Sequence, residues 1–346
     1  MSNEQPFYTI VGQGLAGTIL SMRMEERGIP HQVIDDPSVS QSSRIAAGLA
    51  NPILLKRLKW VRPAELFWPE AQPFYLSWER KLQAPFTHPV KMWHLFRSVG
   101  EINRWQEKAE NPLFSPFLGS VLPPSPHERL EAPHGIGVLE ELFWLDTALF
   151  LKAYRSYLQE KGAYHAVPAQ EVLEKHIWPL RPPEAPLVLC NGHLARQTHP
   201  TLAKAFTPTR GEVLLLEAPA MPADIALHAR IFALPLGRKR FKLGASYAHD
   251  DLRDSPSAAG REWLLNQWEN MYNGPYEVTD HLAGVRPNVA DRQPLLGKWQ
   301  PRKYLFNGLG SRGVLMGPLL AGHLLAHLED GAPLAAEWDI DRFISN

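Results

Sequence analysis

The chain has 346 residues, 45% hydrophobic and 21% charged, a balance that supports buried cores and argues against disorder. At about 150 residues per domain, that length suggests two domains. Its 36 basic residues match its 36 acidic ones, so no overall field draws it to nucleic acid or to an anionic membrane. The single cysteine, Cys190, excludes an internal disulfide framework and fits a reducing compartment. No apolar run approaches the ~18 residues of a membrane-spanning helix, and the first residues lack the basic start of a secretion signal. A soluble, cytoplasmic protein is the expectation.

Phe7 to Val11 reads as a short buried strand, followed by Gly12-Gln13-Gly14-Leu15-Ala16-Gly17. A helical run continues to about Arg27 and stops at Gly28, glycine being common just past a helix C-terminus. His31 to Ile34 reads as a second strand closing on Asp35-Asp36. Strand, G-x-G-x-x-G, helix, strand and acid are in the order of a dinucleotide-binding unit. In that unit Gly12 makes the tight turn, Gly14 lets backbone approach a pyrophosphate, and Gly17 lets the helix pack on the strand. Leu15 and Ala16 open the helix, whose free N–H groups face the phosphates. Asp35, about 20 residues past the glycines, is the expected acceptor for the adenosine ribose; Asp36 lies one step beyond the strand pattern. The unit alone does not separate FAD from NAD.

Small residues fill Ser42 to Pro52, where Ser43, Ala47 and Gly48 suit close approach to a ligand. Lys56, Arg57, Lys59 and Arg62 form a local basic run, of a kind that either meets phosphates or faces water. Prolines crowd the stretch from Pro63 to Pro133, which predicts loops and short elements. The aromatic run Trp60, Phe67, Trp68, Phe74, Tyr75 and Trp78 reads as core rather than as a base-stacking surface. Asp146 is a good N-cap for a helix to about Gly162, with Leu149, Ala153, Tyr154, Tyr157 and Leu158 on one apolar face. Leu187 to Cys190 reads as a buried strand ending in Asn191-Gly192, with Cys190 a core thiol. Gly211 to Glu217, Ile231 to Leu236 and Arg240 to Ser246 read as strands of an antiparallel sheet.

Tyr304 to Phe306 reads as a strand leading into a second glycine turn, Gly308-Leu309-Gly310-Ser311-Arg312-Gly313, and an apolar helix from about Val314 to Leu328. That turn delivers a helix N-terminus to something electron-rich. A reduced flavin carries negative charge, which a helix dipole stabilises by about 0.3–2 kcal/mol. No grouping of His, Cys and acid has metal-ligand spacing.

Together the GQGLAG unit, SSRIAAG, GVRPNVADRQPLLG and FNGLGSRGVLMGPLLAGHLLAHL resemble the D-amino-acid oxidase superfamily, which includes glycine and sarcosine oxidases. The resemblance covers nearly the whole chain in order, and the last segment is its most specific part. AAGLANPILL, the helix-like ELFWPEAQPFYLSW, LCNGHLARQ, RGEVLLLE, LGASYAHDD and GLGSRGVLMGPL are similar, more narrowly, to the C-terminal FAD oxidase domain of the bifunctional proteins that build 5-methylaminomethyl-2-thiouridine in tRNA. That domain removes a carboxymethyl group from a secondary amine.

The resemblance implies an α/β protein: a Rossmann-like FAD-binding domain of the glutathione reductase type, with a discontinuous antiparallel α+β substrate domain. The expected FAD-binding domain takes residues 1–55, 146–200 and 284–346, and the substrate domain takes 56–145 and 201–283. FAD is expected at Gly12, Gly14, Leu15, Ala16, Gly17, Asp35, Ser43, Ala47, Gly48, Asn191, Gly192, Gly308, Gly310, Ser311, Arg312, Gly313 and Val314. The one cysteine is far in sequence from the terminal flavin segment, so non-covalent FAD is expected. Arg286 matches the arginine that glycine oxidase-like enzymes use for the substrate carboxylate, a charge-assisted contact worth about 1.5–3 kcal/mol. Arg312 matches the SRG of the tRNA-modifying oxidases and serves either substrate or flavin. Lys242 is similar in placement to the lysine that sarcosine oxidases put near the flavin for dioxygen reduction, although the narrower relatives do not keep it. Tyr247 either lines the pocket or packs, and His193 has a family match beside a structural reading.

Three functions stay open at this point: oxidation of a carboxymethylaminomethyl uridine in tRNA, oxidation of a small amino acid or secondary amine, and non-catalytic flavin binding. The expected partners are a small amine or amino acid, or a tRNA, with dioxygen or another electron acceptor and no membrane.

Overall fold

The computed structural model describes residues 7–39, 42–61, 63–124, 127–168, 185–197 and 200–344. Two sheets organise it. In the smaller, Tyr8–Val11 pairs in parallel with His31–Asp35 on one side and with Leu187–Leu189 on the other. Tyr164–Ala166 extends the sheet past His31–Asp35, and Lys303–Asn307 extends it past Leu187–Leu189, both in parallel. Leu295–Gln300 closes that second edge antiparallel. The central strands are buried along their whole length, as parallel strands covered on both faces must be. Their cover includes the helices Leu15–Glu26, Thr147–Glu160 and Gly313–Asp330. Asp146 caps the second of these as expected, accepting from the Leu149 N–H at 3.0 Å.

The larger sheet has nine strands. In spatial order they begin Glu277–Arg286, Thr209–Glu217, Arg240–Gly244, Phe232–Pro235 and Ile225–His228. Thr87–Leu95, Ile136–Leu145 and Leu49–Ala50 follow, and Leu118–Leu122 also pairs with Ile136–Leu145. Every pairing is antiparallel except one: Ile225–His228 lies parallel to Thr87–Leu95. That junction joins two antiparallel blocks into one sheet.

The proline-rich stretch is more regular than loops and short elements, and the segment Glu65 to Trp78, read as helix-like, is helical. The stretch holds the 19-residue helix Ala64–Leu82, with Pro69 and Pro73 inside it, and the nine-residue strand Thr87–Leu95. The prolines remove two helical N–H donors. Burial of Phe67, Ala71, Phe74, Tyr75 and Trp78 along one side outweighs that loss. These residues share a core with Ile10, Leu20, Leu320 and Leu324, so the helix packs on the smaller sheet's side of the molecule. The substrate-domain expectation had grouped it with the other sheet. Among the described residues no helix is long and apolar enough to cross a membrane.

Candidate active site

A cavity of about 510 Å³ lies between the two sheets, within the usual ~300–1,000 Å³ range of small-molecule sites. At one end is the first glycine turn. Gly12 has φ +102°, and a Cβ there would lie 2.7 Å from the Cys190 carbonyl oxygen. Gly14, Leu15 and Ala16 line the cavity at the helix N-terminus. Gly17 does not line it: a side chain there would overlap the Gly12 carbonyl, so this glycine serves helix packing and not ligand contact. Ser43 Oγ accepts from the Leu15 N–H at 3.0 Å, tying the Ser42–Ile45 turn to the helix start.

Asp35 reaches the cavity wall already engaged. Its Oδ1 accepts from the Gln13 N–H at 2.9 Å and its Oδ2 from Arg155 Nη2 at 3.1 Å. Arg155 also donates to Gln13 Oε1 at 2.8 Å. A helix residue from the middle of the chain thus orients the acid of the dinucleotide motif. Asp36 lines the cavity beside it.

The middle of the cavity runs past Ala46, Ala47 and Gly48 to Asn191 and Gly192. Gly48 has φ +73°, and a side chain there would overlap the Leu145 carbonyl. Both polar atoms of the Asn191 amide are buried without a protein partner, as expected of a group that meets a polar ligand. Asn307 donates to the Gly192 carbonyl at 2.9 Å and accepts from the Gly308 N–H at 2.8 Å, which locks this turn to the second glycine turn. Gly308, expected at the cofactor, instead packs against Val289 and Leu295 behind the wall. Gly310, Ser311, Arg312, Gly313 and Val314 do line the cavity. They start the helix Gly313–Asp330, whose N-terminus lies at the cavity wall. The two glycine-opened helices touch, since a Cβ on Gly313 would sit 2.5 Å from Leu15.

Arg286, Arg312 and Tyr247 are brought together at the far end. The Arg286 guanidinium lies over the Tyr247 ring at 4.4 Å and donates to the Ser246 carbonyl at 3.3 Å. Its space exists because residue 211 is glycine: a Cβ there would overlap the guanidinium. Burial lowers the pKa of both arginines from the usual value, and neither has a carboxylate partner among the described residues. The Tyr247 loop is anchored by Arg210, which is buried and pairs with Asp251 at 2.6 Å and Glu212 at 2.9 Å. Tyr247 itself is 63% exposed and marks the mouth.

Lys242 is not brought to the cavity. Its Nζ donates to the Ala46 carbonyl at 2.8 Å, so the Ala46–Gly48 segment stands between the ammonium and the cavity. Burial lowers its pKa, against an opposing pull from Asp146. The strand turns Phe241 and Leu243 into a core, which leaves Lys242 on the opposite face, behind that segment. His193 lines the cavity, its pKa lowered by burial. Lys56, exposed, reaches the cavity rim; Arg57 and Lys59 are exposed outside it, and Arg62 falls outside the described residues. The sequence reading had not singled out Arg230, Phe232, His228, Asn307 or Arg155. Arg155 sits on a helix read only for its apolar face, Asn307 was read only as the lead-in to the second glycine turn, and the others fall on or beside strands that carry no glycine motif. Among the described residues no cluster could hold a metal ion.

Residues 8–328 match the family model described as DAO, FAD dependent oxidoreductase. The chain belongs to this family. The fit is physical as well: the glycine cradle, the two helix N-termini and the unpartnered Asn191 amide all face one cavity. Among curated relatives, the tRNA 5-methylaminomethyl-2-thiouridine biosynthesis bifunctional protein MnmC of Idiomarina loihiensis is 23% identical over 90% of this chain and 54% of its own. The MnmC of Leptospira interrogans is 23% identical over 97% of this chain and 59% of its own. The chain therefore spans little more than half the length of these relatives. Among solved structures, iminodiacetate oxidase from Chelativorans sp. superposes with a TM-score of 0.76 at 18% identity, covering 97% of this chain and 98% of that one. Glycine oxidase from Geobacillus kaustophilus superposes with a TM-score of 0.76 at 16% identity, covering 98% of each chain. This FAD-dependent oxidoreductase thus shares its fold with amine and amino-acid oxidases.

Proposed function

We propose that this oxidoreductase oxidises the C–N bond of an amine that carries a carboxylate, with FAD held non-covalently between the two glycine turns. The observation that carries this reading is the pair of half-buried arginines, Arg286 and Arg312, that line the cavity without carboxylate partners at its Tyr247 end. Gly12, Gly14, Leu15 and Ala16 would hold the pyrophosphate, Asp35 the ribose, and the Gly310–Val314 turn the ring end. FAD bound there supplies the two-electron acceptor. The protein's task is then to aim the substrate. Arg286 fixes the carboxylate by charge-assisted hydrogen bonds, and Tyr247 covers it from the solvent side. The two guanidiniums also disfavour a second cation nearby, so they favour the neutral amine over the ammonium. Cys190 is buried, its thiol pushed well above the ordinary range by burial, and it lies against the first glycine turn, away from the ring end. Flavin should therefore separate from acid-precipitated protein.

A tRNA-borne carboxymethylaminomethyl uridine is favoured over a free amino acid by the charge at the rim. Lys56 and Arg230 are exposed there, and the cavity's only lining carboxylates, among the described residues, are Asp35 and Asp36 at the opposite end. A substrate with phosphates outside the pocket and a carboxylate inside it suits that distribution. The test is anaerobic mixing of the yellow holoenzyme with carboxymethylaminomethyluridine, tRNA containing it, glycine, sarcosine and iminodiacetate. Bleaching of the flavin band by the uridine compounds in preference to the small amines is expected. Bleaching by none of them would remove the amine-oxidase reading.

A further inference from the structure

The larger sheet carries a pair of histidines that the residues above leave unused. One row of directly paired residues crosses it: Val213, Gly244, Phe232, His228, His94 and Gly137. Directly paired residues put their side chains on one face. Val213, Phe232 and His228 line the cavity, and His94 lies one strand further on, buried. The Nδ1 atoms of His94 and His228 are 2.9 Å apart. Behind the pair, the His94 ring stacks on Trp105 at 5.9 Å and 12° and meets Phe96 edge-on. Gly137 makes room for this packing, since a Cβ there would lie 2.7 Å from the Trp105 ring. His94 is therefore held in place by aromatic contacts, and it holds His228.

A hydrogen bond between two Nδ1 atoms uses one proton, so the tautomers of the two rings are linked. Burial lowers the pKa of His94 to about 4 and of His228 to about 3. Arg97 lowers both further, and Glu101 opposes it at His94, so both rings are neutral near pH 7. His94 makes no other hydrogen bond among the described residues. His94 Nε2 meets no protein acceptor among the described residues, whereas His228 lines the cavity, so the His94 proton belongs on Nδ1, where it is given to His228. His228 then carries its own proton on Nε2.

We propose that His94 locks His228 in the Nε2–H tautomer, and that His228 donates this hydrogen bond to an uncharged carbonyl oxygen of the substrate, remote from the reacting carboxymethylamine. The remoteness follows from the sheet: four residues along and four strand spacings across separate the backbones of Arg286 and His228, on the order of 20 Å. Lys56 and Arg230 line the same cavity near the His228 strand, so a charged end of the substrate has its own partners. His94 is a positioning residue and His228 a specificity residue. This inference rests on the amine-oxidase reading for its substrate, but the tautomer does not.

The tautomer is read first, by long-range proton–nitrogen correlation of the holoenzyme labelled with 15N-histidine, with His228→Gln giving the assignment. Nε2–H at neutral pH is expected; Nδ1–H or an imidazolium would overturn the proposal. The substrate role is read from kcat and KM for carboxymethylaminomethyluridine, which has distal pyrimidine carbonyls, and for sarcosine, which has none. In His228→Phe the preference for the uridine amine over sarcosine falls about tenfold, carried by KM. His228→Gln places an amide N–H where Nε2 was and restores the preference. His94→Asn keeps a donor at the Nδ1 position and keeps it too, whereas His94→Phe loses it. Equal losses on both substrates, or a wild-type enzyme that turns over sarcosine alone, would overturn the distal role. If wild-type flavin bleaches with neither, the amine-oxidase reading fails while the nitrogen shifts still decide the tautomer.

Discussion

Gly211 is where a residue with no side chain has a direct consequence for binding. It faces the Arg286 guanidinium so closely that an alanine methyl group would displace it. The displaced atoms are the far end of a flexible side chain, so Gly211→Ala should fold normally and bind the carboxylate badly. KM for carboxylate-bearing amines should rise about tenfold with melting temperature nearly unchanged; a large drop in melting temperature with unchanged KM would refute the placement. Arg286→Met should lose about 10–100-fold in kcat/KM on the same substrates, the size of a charge-assisted contact. The place of Arg286 on the cavity wall was legible in the sequence through the motif around it. Lys242 was not correctly legible, because strand alternation alone does not tell which backbone segment covers the polar face. His228 carried no signal at all: a lone histidine acquires its meaning only from the strand that lies beside it.

At the scale of elements, the two glycine turns were readable because backbone that must pass within a side chain's width of other backbone excludes every other residue. Not all glycines at the ends of the first helix do the same work. Gly28 has φ +67° with open space around it, so Gly28→Ala should cost only about 1–2 kcal/mol of left-handed strain. Gly17 faces the Gly12 carbonyl, which is backbone and cannot step aside. Gly17→Ala should therefore melt well below Gly28→Ala and lose FAD affinity by prying the helix from the turn. Melting curves with and without FAD, beside flavin fluorescence titrations, test that order; the reverse order would show that Gly17 is not the packing residue. The helix Ala64–Leu82 was legible as helix-like only from Glu65 to Trp78. Two internal prolines argue locally against a helix, and only its aromatic face, buried against other elements, overrides them.

For the whole molecule, the larger sheet has a seam at its single parallel junction, and the two linked histidines lie in it. Pairing across that seam joins Thr87–Leu95 to Ile225–His228, segments far apart in the chain, which is why no local pattern announced it. The seam also makes stability depend on acidity. Folded, His94 and His228 have pKa values of about 4 and about 3, both lowered chiefly by burial. Unfolded, they titrate near the ordinary ~6.5. Between those limits the unfolded chain binds protons that the folded chain refuses, so stability falls as pH drops from about 6.5 towards 4. His31 and His193, also lowered by burial, act in the same direction. Glu25 and Glu101 have lowered pKa values, so their contribution is lost from the ordinary carboxylate value downwards and leaves the upper part of the window to the histidines. Melting temperature should thus decline between pH 7 and pH 5, and His228→Gln, which cannot titrate, should flatten part of that decline. A slope unchanged in His228→Gln would mean that the pair is not neutral in the folded protein.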